Sequence, residues 1–200
     1  MKLHLLLGLV AGLLFTTGAH ATVIFQDDFD SEGAPGASVL NYNSFTNWTV
    51  TDGSVDLLAD PNSWGIGCAG GTGKCVDMDG SSGNAGTLNS NMFTLAAGTY
   101  ALLFDISGNQ RNAPDDTMEV MLGGFLNETF VLSASAPWQT IIRGFTVMEE
   151  TTSYISFNHN GGDNIGIILD NVAVVPEPGT LALLGLGLLG LGAARRRAAT

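Results

Sequence analysis

Carboxylates are the most numerous groups in this chain that could do chemistry. Nineteen Asp and Glu stand against seven Lys and Arg in 200 residues. All but Glu177 fall between Thr22 and Val175, where Lys74, Arg111 and Arg143 are the basic residues, so that stretch carries a formal −15. Eighteen acids guarantee some close pairs, so pairing alone says nothing for glycoside hydrolysis. His159 is the one histidine of the stretch, and a Ser-His-Asp triad would have to use it. No G-x-S-x-G elbow accompanies it and no H-E-x-x-H occurs. Its setting, Asn158-His159-Asn160-Gly161-Gly162, is that of a turn at a strand end. Gly65-Ile66-Gly67-Cys68-Ala69-Gly70 fits G-x-G-x-x-G without the strand and helix that would make it a phosphate cradle. The chain is therefore read as a non-enzyme. Asp77 and Asp79 could supply oxygens to Ca²⁺, which takes about six to eight. Leu88 stands where an EF-hand loop would carry its last Glu. The negative surface repels nucleic acid and anionic lipid.

The two ends say how the chain travels. Met1-Lys2, an apolar stretch from Leu5 to Phe15 and Ala19-His20-Ala21 have the order of a secretory signal peptide, cleaved before Thr22 by signal peptidase. At the other end Pro176-Glu177-Pro178 precede an apolar run from Leu181 to Ala194, then Arg195-Arg196-Arg197. As a helix the run, with Gly179 and Thr180 counted in, reaches roughly 24 Å, short of a hydrocarbon core of about 30 Å. The arginines hold its end in the cytoplasm, which puts everything before it outside. In an exported chain Cys68 and Cys75 are expected to form a disulfide, a local staple contributing roughly 2–3 kcal/mol. Three segments follow: signal peptide 1–21, a domain 22–175 and a terminal signal 176–200.

The terminal block resembles the PEP-CTERM sorting tail of exported Gram-negative bacterial proteins. The resemblance implies processing by an exosortase near Pro-Glu-Pro, after transient anchoring in the membrane, and delivery to the cell surface or extracellular matrix.

These groups need elements to position them, and the pattern between 22 and 175 is strand after strand. Tyr100, Leu102, Phe104 and Ile106 alternate with Ala101, Leu103 and Asp105; Met118, Val120 and Leu122 alternate with Thr117, Glu119 and Met121. Further strands are expected over Val23–Phe29, Asn47–Thr51, Ser54–Leu58, Phe125–Leu132, Gln139–Met148, Tyr154–Phe157 and Ile165–Val175. Asp52-Gly53 reads as a hairpin turn between two of them. No sustained 3.6-residue period appears. About ten short strands predict an all-β fold, a jelly-roll-like antiparallel β-sandwich.

Asp27-Asp28-Phe29-Asp30 and the run from Gly162 to Val172 resemble the first and last strands of galactose-binding-like jelly rolls, a fold shared by many carbohydrate-binding modules. The resemblance implies a structural Ca²⁺ between those strands, on Asp28, Asp30 and Asp170, with Glu32 in reserve. It also implies sugar recognition by an aromatic platform beside planar polar groups. Trp48, Trp64 and Trp138 are the large platforms. Trp48 falls in a strand and is expected in the core; Trp64 falls in a loop. Asn109, Gln110 and Arg111 are the polar partners. Three functions stand open: a module binding extracellular polysaccharide, a structural matrix or biofilm protein without a pocket, and, third, a glycan-active enzyme.

Overall fold

The computed structural model describes residues 22–177. The expected signal peptide, the membrane segment, Pro178 and Arg195 to Arg197 lie outside the described residues. Among the described residues no helix is long and apolar enough to cross a membrane.

The chain runs through β1 (Phe25–Asp27), β2 (Val39–Tyr42), β3 (Trp48–Thr51), β4 (Val55–Asp60), β5 (Gly73–Asp77), β6 (Thr87–Ser90) and β7 (Phe93–Leu95). It continues through β8 (Gly98–Ser107), β9 (Asp116–Leu122), β10 (Leu126–Leu132), β11 (Gln139–Val147), β12 (Thr151–Ser153), β13 (Ile155–His159) and β14 (Ile168–Pro176). One sheet has the order β11-β8-β14-β5-β4-β2, with β1 also paired to β14; the other has β10-β9-β13-β6-β3. β7 and β12 pair separately. The ladders are antiparallel.

Taken without the flanking strands, β11-β8-β14-β5 faces β10-β9-β13-β6. Of the steps between those eight strands in chain order, β9 to β10 stays in one sheet and the rest cross over. That winding is a jelly roll, the sandwich expected from the sequence. Alternation supplies the core. Tyr100, Leu102, Phe104 and Ile106 of β8 and Met118, Val120 and Leu122 of β9 all point between the sheets. There they meet Phe29, Trp48 and Phe157, and burying each large apolar side chain contributes about 1.5–3 kcal/mol. A smaller cluster of Leu58, Ile66, Cys68, Cys75 and Ile168, with Trp138 against it, lies apart from this core.

Three expectations are corrected. β3 and β4 lie in different sheets, so Asp52-Gly53 is a corner between sheets rather than a hairpin turn. Asp52 takes a positive φ of 60° there, and a Cβ on Gly53 would stand 2.3 Å from the Ala85 carbonyl oxygen. The last strand starts at Ile168, because Gly162 to Gly166 turn inward to carboxylates described below. It ends at Pro176, with the Glu177 N–H donating to the Thr99 carbonyl at 2.9 Å, so the ladder passes the expected boundary at Val175. β2, β5, β6, β7 and β12 went unseen because each is five residues or fewer and too short for a period.

Arg143 belongs to the inward-facing series of β11 yet is charged. It lies over the Phe130 ring, 5.7 Å from its centroid, and pairs with Glu128 of β10. That pair closes the side of the sandwich where β11 and β10 are the sheet edges, and its hydrogen bonds hold the Glu128 carboxyl below its ordinary value.

Candidate functional site

Three loops converge where the expected polar residues follow β8: residues 61–72 between β4 and β5, 108–115 between β8 and β9, and 133–138 between β10 and β11. The Gly108 N–H donates to the Ala136 carbonyl at 3.0 Å, and the Gln110 N–H to the Ala134 carbonyl at 2.9 Å, so the second and third loops are laced together. Gln110 sits at φ 59°, which turns its side chain back toward the first loop. There its amide brackets the backbone of one residue. Oε1 accepts the Gly67 N–H at 3.0 Å, and Nε2 donates to the Gly67 carbonyl at 2.9 Å and to Ser107 Oγ at 3.0 Å. The Trp138 indole N–H donates to that same carbonyl at 3.2 Å, while its ring packs on the disulfide cluster.

The end of β8 and the 108–115 and 133–138 loops wall a pocket of about 390 Å³, lined by Ser107, Gln110, Ser135, Pro137 and Trp138 together with Ala134 and Ala136 and by no residue of the 61–72 loop. The first loop is itself built. Asn62 Nδ2 donates to the carbonyls of Ala59 and Ile66, while its Oδ1 accepts the N–H groups of Trp64 and Ile66. The Cys68–Cys75 disulfide, with Cα atoms 5.4 Å apart, pins the far end of that loop to β5. Trp64 stands on it 44 % exposed, as the loop composition suggested, and Trp48 is buried in the core with its indole N–H on Asp27.

The other polar candidates have internal duties. Asn109 is fully buried; its amide donates to the Pro114 carbonyl and to Asp116 at 2.7 Å, and its Oδ1 accepts the Arg111 N–H. Arg111 pairs with Asp77 and donates to the Asn164 carbonyl, tying the 108–115 loop to the one before β14. The guanidinium first weighed as a sugar ligand thus meets a carboxylate first weighed as a calcium ligand. Burial pushes the Asp77 carboxyl up to about 8, against Arg111 and the N–H groups of Asp79 and Gly166, which lower it. Asp79 is buried, with one oxygen accepting the N–H groups of Gly162 and Asp163 and Oδ1 without a partner. His159 ends β13 as expected, but inside: Nε2 accepts the Ile167 N–H at 3.3 Å, which assigns the proton to Nδ1. Burial lowers its pKa.

Among the strand-end acids, Asp28 is exposed and accepts the Asp30 N–H, in a shallow hollow of about 220 Å³ shared with Asp27 and Asn171. Asp30 accepts the Lys74 N–H. Asp170 is buried and accepts the N–H groups of Ala69 and Asn171. Burial pushes its carboxyl up to about 7, with Asp30 and Asp105 raising it further. Asp105 lies opposite Asp170 on β8, a pairing across strands that leaves no mark on sequence spacing. Glu32, the reserve, is buried on the Thr46 N–H and the Tyr42 hydroxyl. Among the described residues no three Asp, Glu, His or Cys gather at metal-holding distance. Asp28, Asp30 and Asp170 each hold backbone N–H groups of their own and are not gathered into a ready-made ligand set in this arrangement.

The end of β14 is also where a known signal starts. Residues 174–197 match the PEP-CTERM protein-sorting motif. The PEP-CTERM match overlaps the last residues of the ladder, for Val174 is fully buried in the core and Pro176 pairs with Tyr100. No curated protein sequence matches the chain. Among solved structures, a family 35 carbohydrate binding module from Clostridium thermocellum is 16 % identical, over 70 % of this chain and 98 % of its own, with a TM-score of 0.45. The K3 cleaved adhesin domain of Lys-gingipain from Porphyromonas gingivalis is 17 % identical, over 78 % of this chain and 98 % of its own, at 0.47. An exo-β-1,3-galactanase from Phanerochaete chrysosporium is 19 % identical over 70 % of this chain, at 0.42, and this chain spans 29 % of that enzyme. The jelly roll itself rests on the strand order given above.

Proposed function

We propose that the protein is a non-catalytic module that signal peptidase and an exosortase process for the cell surface, where it holds extracellular polysaccharide in the pocket between the 108–115 and 133–138 loops. The observation that carries this reading is the convergence of Gln110 and Trp138 on the Gly67 backbone beside a pocket of about 390 Å³. An indole offers a face to the C–H surface of a sugar ring, and the exposed Ser135 hydroxyl and the second lone pair of Gln110 Oε1 offer partners to its hydroxyl groups. Trp64, exposed on the loop that both residues tether, is a second platform. The site differs from the one expected from sequence: Gln110 stays, Trp138 joins it, and Asn109 and Arg111 hold the loops instead.

The test is glycan binding by the full chain in detergent, beside Trp138→Ala and Trp64→Ala. Stacking on an aromatic ring contributes on the order of 1 kcal/mol or more, so loss of Trp138 is expected to weaken binding about tenfold. Trp64 stands exposed on a loop, so its replacement is expected to read binding with little effect on the fold. Binding that survives both changes undiminished would remove this site. A chain that binds no glycan would leave the structural matrix protein as the reading to adopt.

A further inference from the structure

We propose that the polysaccharide taken at the pocket between the 108–115 and 133–138 loops is an uncharged one, an inference that rests on reading that pocket as a glycan site. Its walls are indole, amide, hydroxyl, proline ring and alanine methyls, and no ionisable side chain lines it. A uronate or sulfate-bearing polymer would need a cation, and the described residues 22–177 contain three. None lines the pocket. Lys74 is buried with its ammonium on the Glu32 carbonyl. Arg111 is engaged by Asp77 and the Asn164 carbonyl, and Arg143 by Glu128 and the Ile142 carbonyl. The formal charge of the stretch has the opposite sign. Asp60 and Asp170 fasten Cys68 and Ala69 of the first loop, and the stretch as a whole carries −15. An anionic chain would approach against that charge with no ion pair to gain at the end. A neutral sugar needs only a ring face and hydroxyl partners, and its binding does not depend on screening.

The experiment is a glycan array carrying neutral, amino-bearing, uronate-bearing and sulfated glycans, probed with the full chain in detergent. EDTA is present throughout, so that no divalent cation bridges a uronate to the acidic surface. Runs at about 20 mM and about 300 mM salt bracket strong and weak screening. Neutral hexose or pentose glycans are expected to be retained, changing less than about twofold between the two salts, with uronate and sulfate spots blank. Retention of uronate or sulfated glycans in EDTA would overturn the ligand class while leaving the glycan reading intact. Retention confined to amino-bearing glycans and lost at the higher salt would overturn it as well, because charge attraction rather than the pocket would be acting. An array blank in every class would overturn the glycan reading itself, and the class with it.

Discussion

A Cβ built on Gly108 would stand 2.0 Å from the Ser133 carbonyl oxygen, closer than any side chain tolerates. Gly108 is therefore what lets the 108–115 and 133–138 loops press together, and the pocket depends on that contact. Gly108→Ala is expected to lower the melting temperature by several degrees, at about 2–4 °C per kcal/mol for a domain of this size, and to lose glycan binding with it. An unchanged melt would mean the loops can part without cost. Asp170 gives the second test at this scale. Its carboxyl is raised partly by Asp30 and Asp105, a repulsion that a divalent cation would relieve if the loops rearranged to admit it. We propose that calcium raises the melting temperature above pH 8, and that Asp170→Ala abolishes the rise. The same melt with and without calcium in the parent chain would remove the metal. At this scale the sequence showed residue types well and partners poorly. Trp64 on a loop and Trp48 in the core were legible from their neighbours. That Arg111 meets Asp77, 34 positions away, was not.

Two elements carry predictions of their own. The disulfide fastens the 61–72 loop to β5, and Trp138 packs on the sulfur cluster. Reducing it, or replacing both cysteines by serine, is expected to cost roughly 2–3 kcal/mol and to expose Trp138, seen as a red-shifted tryptophan emission. Emission that does not move would mean the hydrogen bonds from Asn62, Gln110, Asp60 and Asp170 hold the loop without the disulfide. β14 supplies the other. It is hydrogen-bonded through Pro176, and Glu177 still donates to Thr99. A processing enzyme must extract backbone from its ladder before cutting it. The mature C-terminus is therefore expected at or beyond Glu177, to be read by mass spectrometry of the exported protein. A terminus upstream of Val174 would require a core strand to open first. Long alternating strands such as β8 and β9 were visible in the sequence because seven to ten residues make a period.

For the whole molecule, pH is the lever that reaches the buried charges. Asp77 and Asp170 have folded values of about 8 and about 7, above an ordinary 3.8. The folded state thus holds their protons more tightly than the unfolded chain does. The stability they contribute is full below about pH 4 and is lost as pH rises toward 8. His159 acts with the opposite sign: lowered from 6.5 by burial, it costs stability as pH falls. Repulsion within a −15 stretch adds to the loss on the alkaline side. The melting temperature is expected to peak in mildly acid solution and to fall by several degrees toward pH 8.5, with a flatter alkaline limb in Asp170→Asn. A melt rising from pH 6 to 8.5 would contradict that balance.

Alternation, turn residues and composition were enough, by themselves, to point to an all-β sandwich with a local disulfide and an acidic surface, and the resemblance carried by the last residues pointed to the sorting motif. These are properties of short windows, where one residue's neighbours in sequence are also its neighbours in space. The tertiary structure decided what depends on distant segments meeting. Asp52-Gly53 became a corner because β3 and β4 belong to different sheets, which no dipeptide can encode. Asp105 met Asp170 through a ladder register, and Gln110 met Gly67 and Trp138 through three loops converging. The pocket exists because a jelly roll crosses between its sheets at almost every step, carrying loops far apart in the chain to one place.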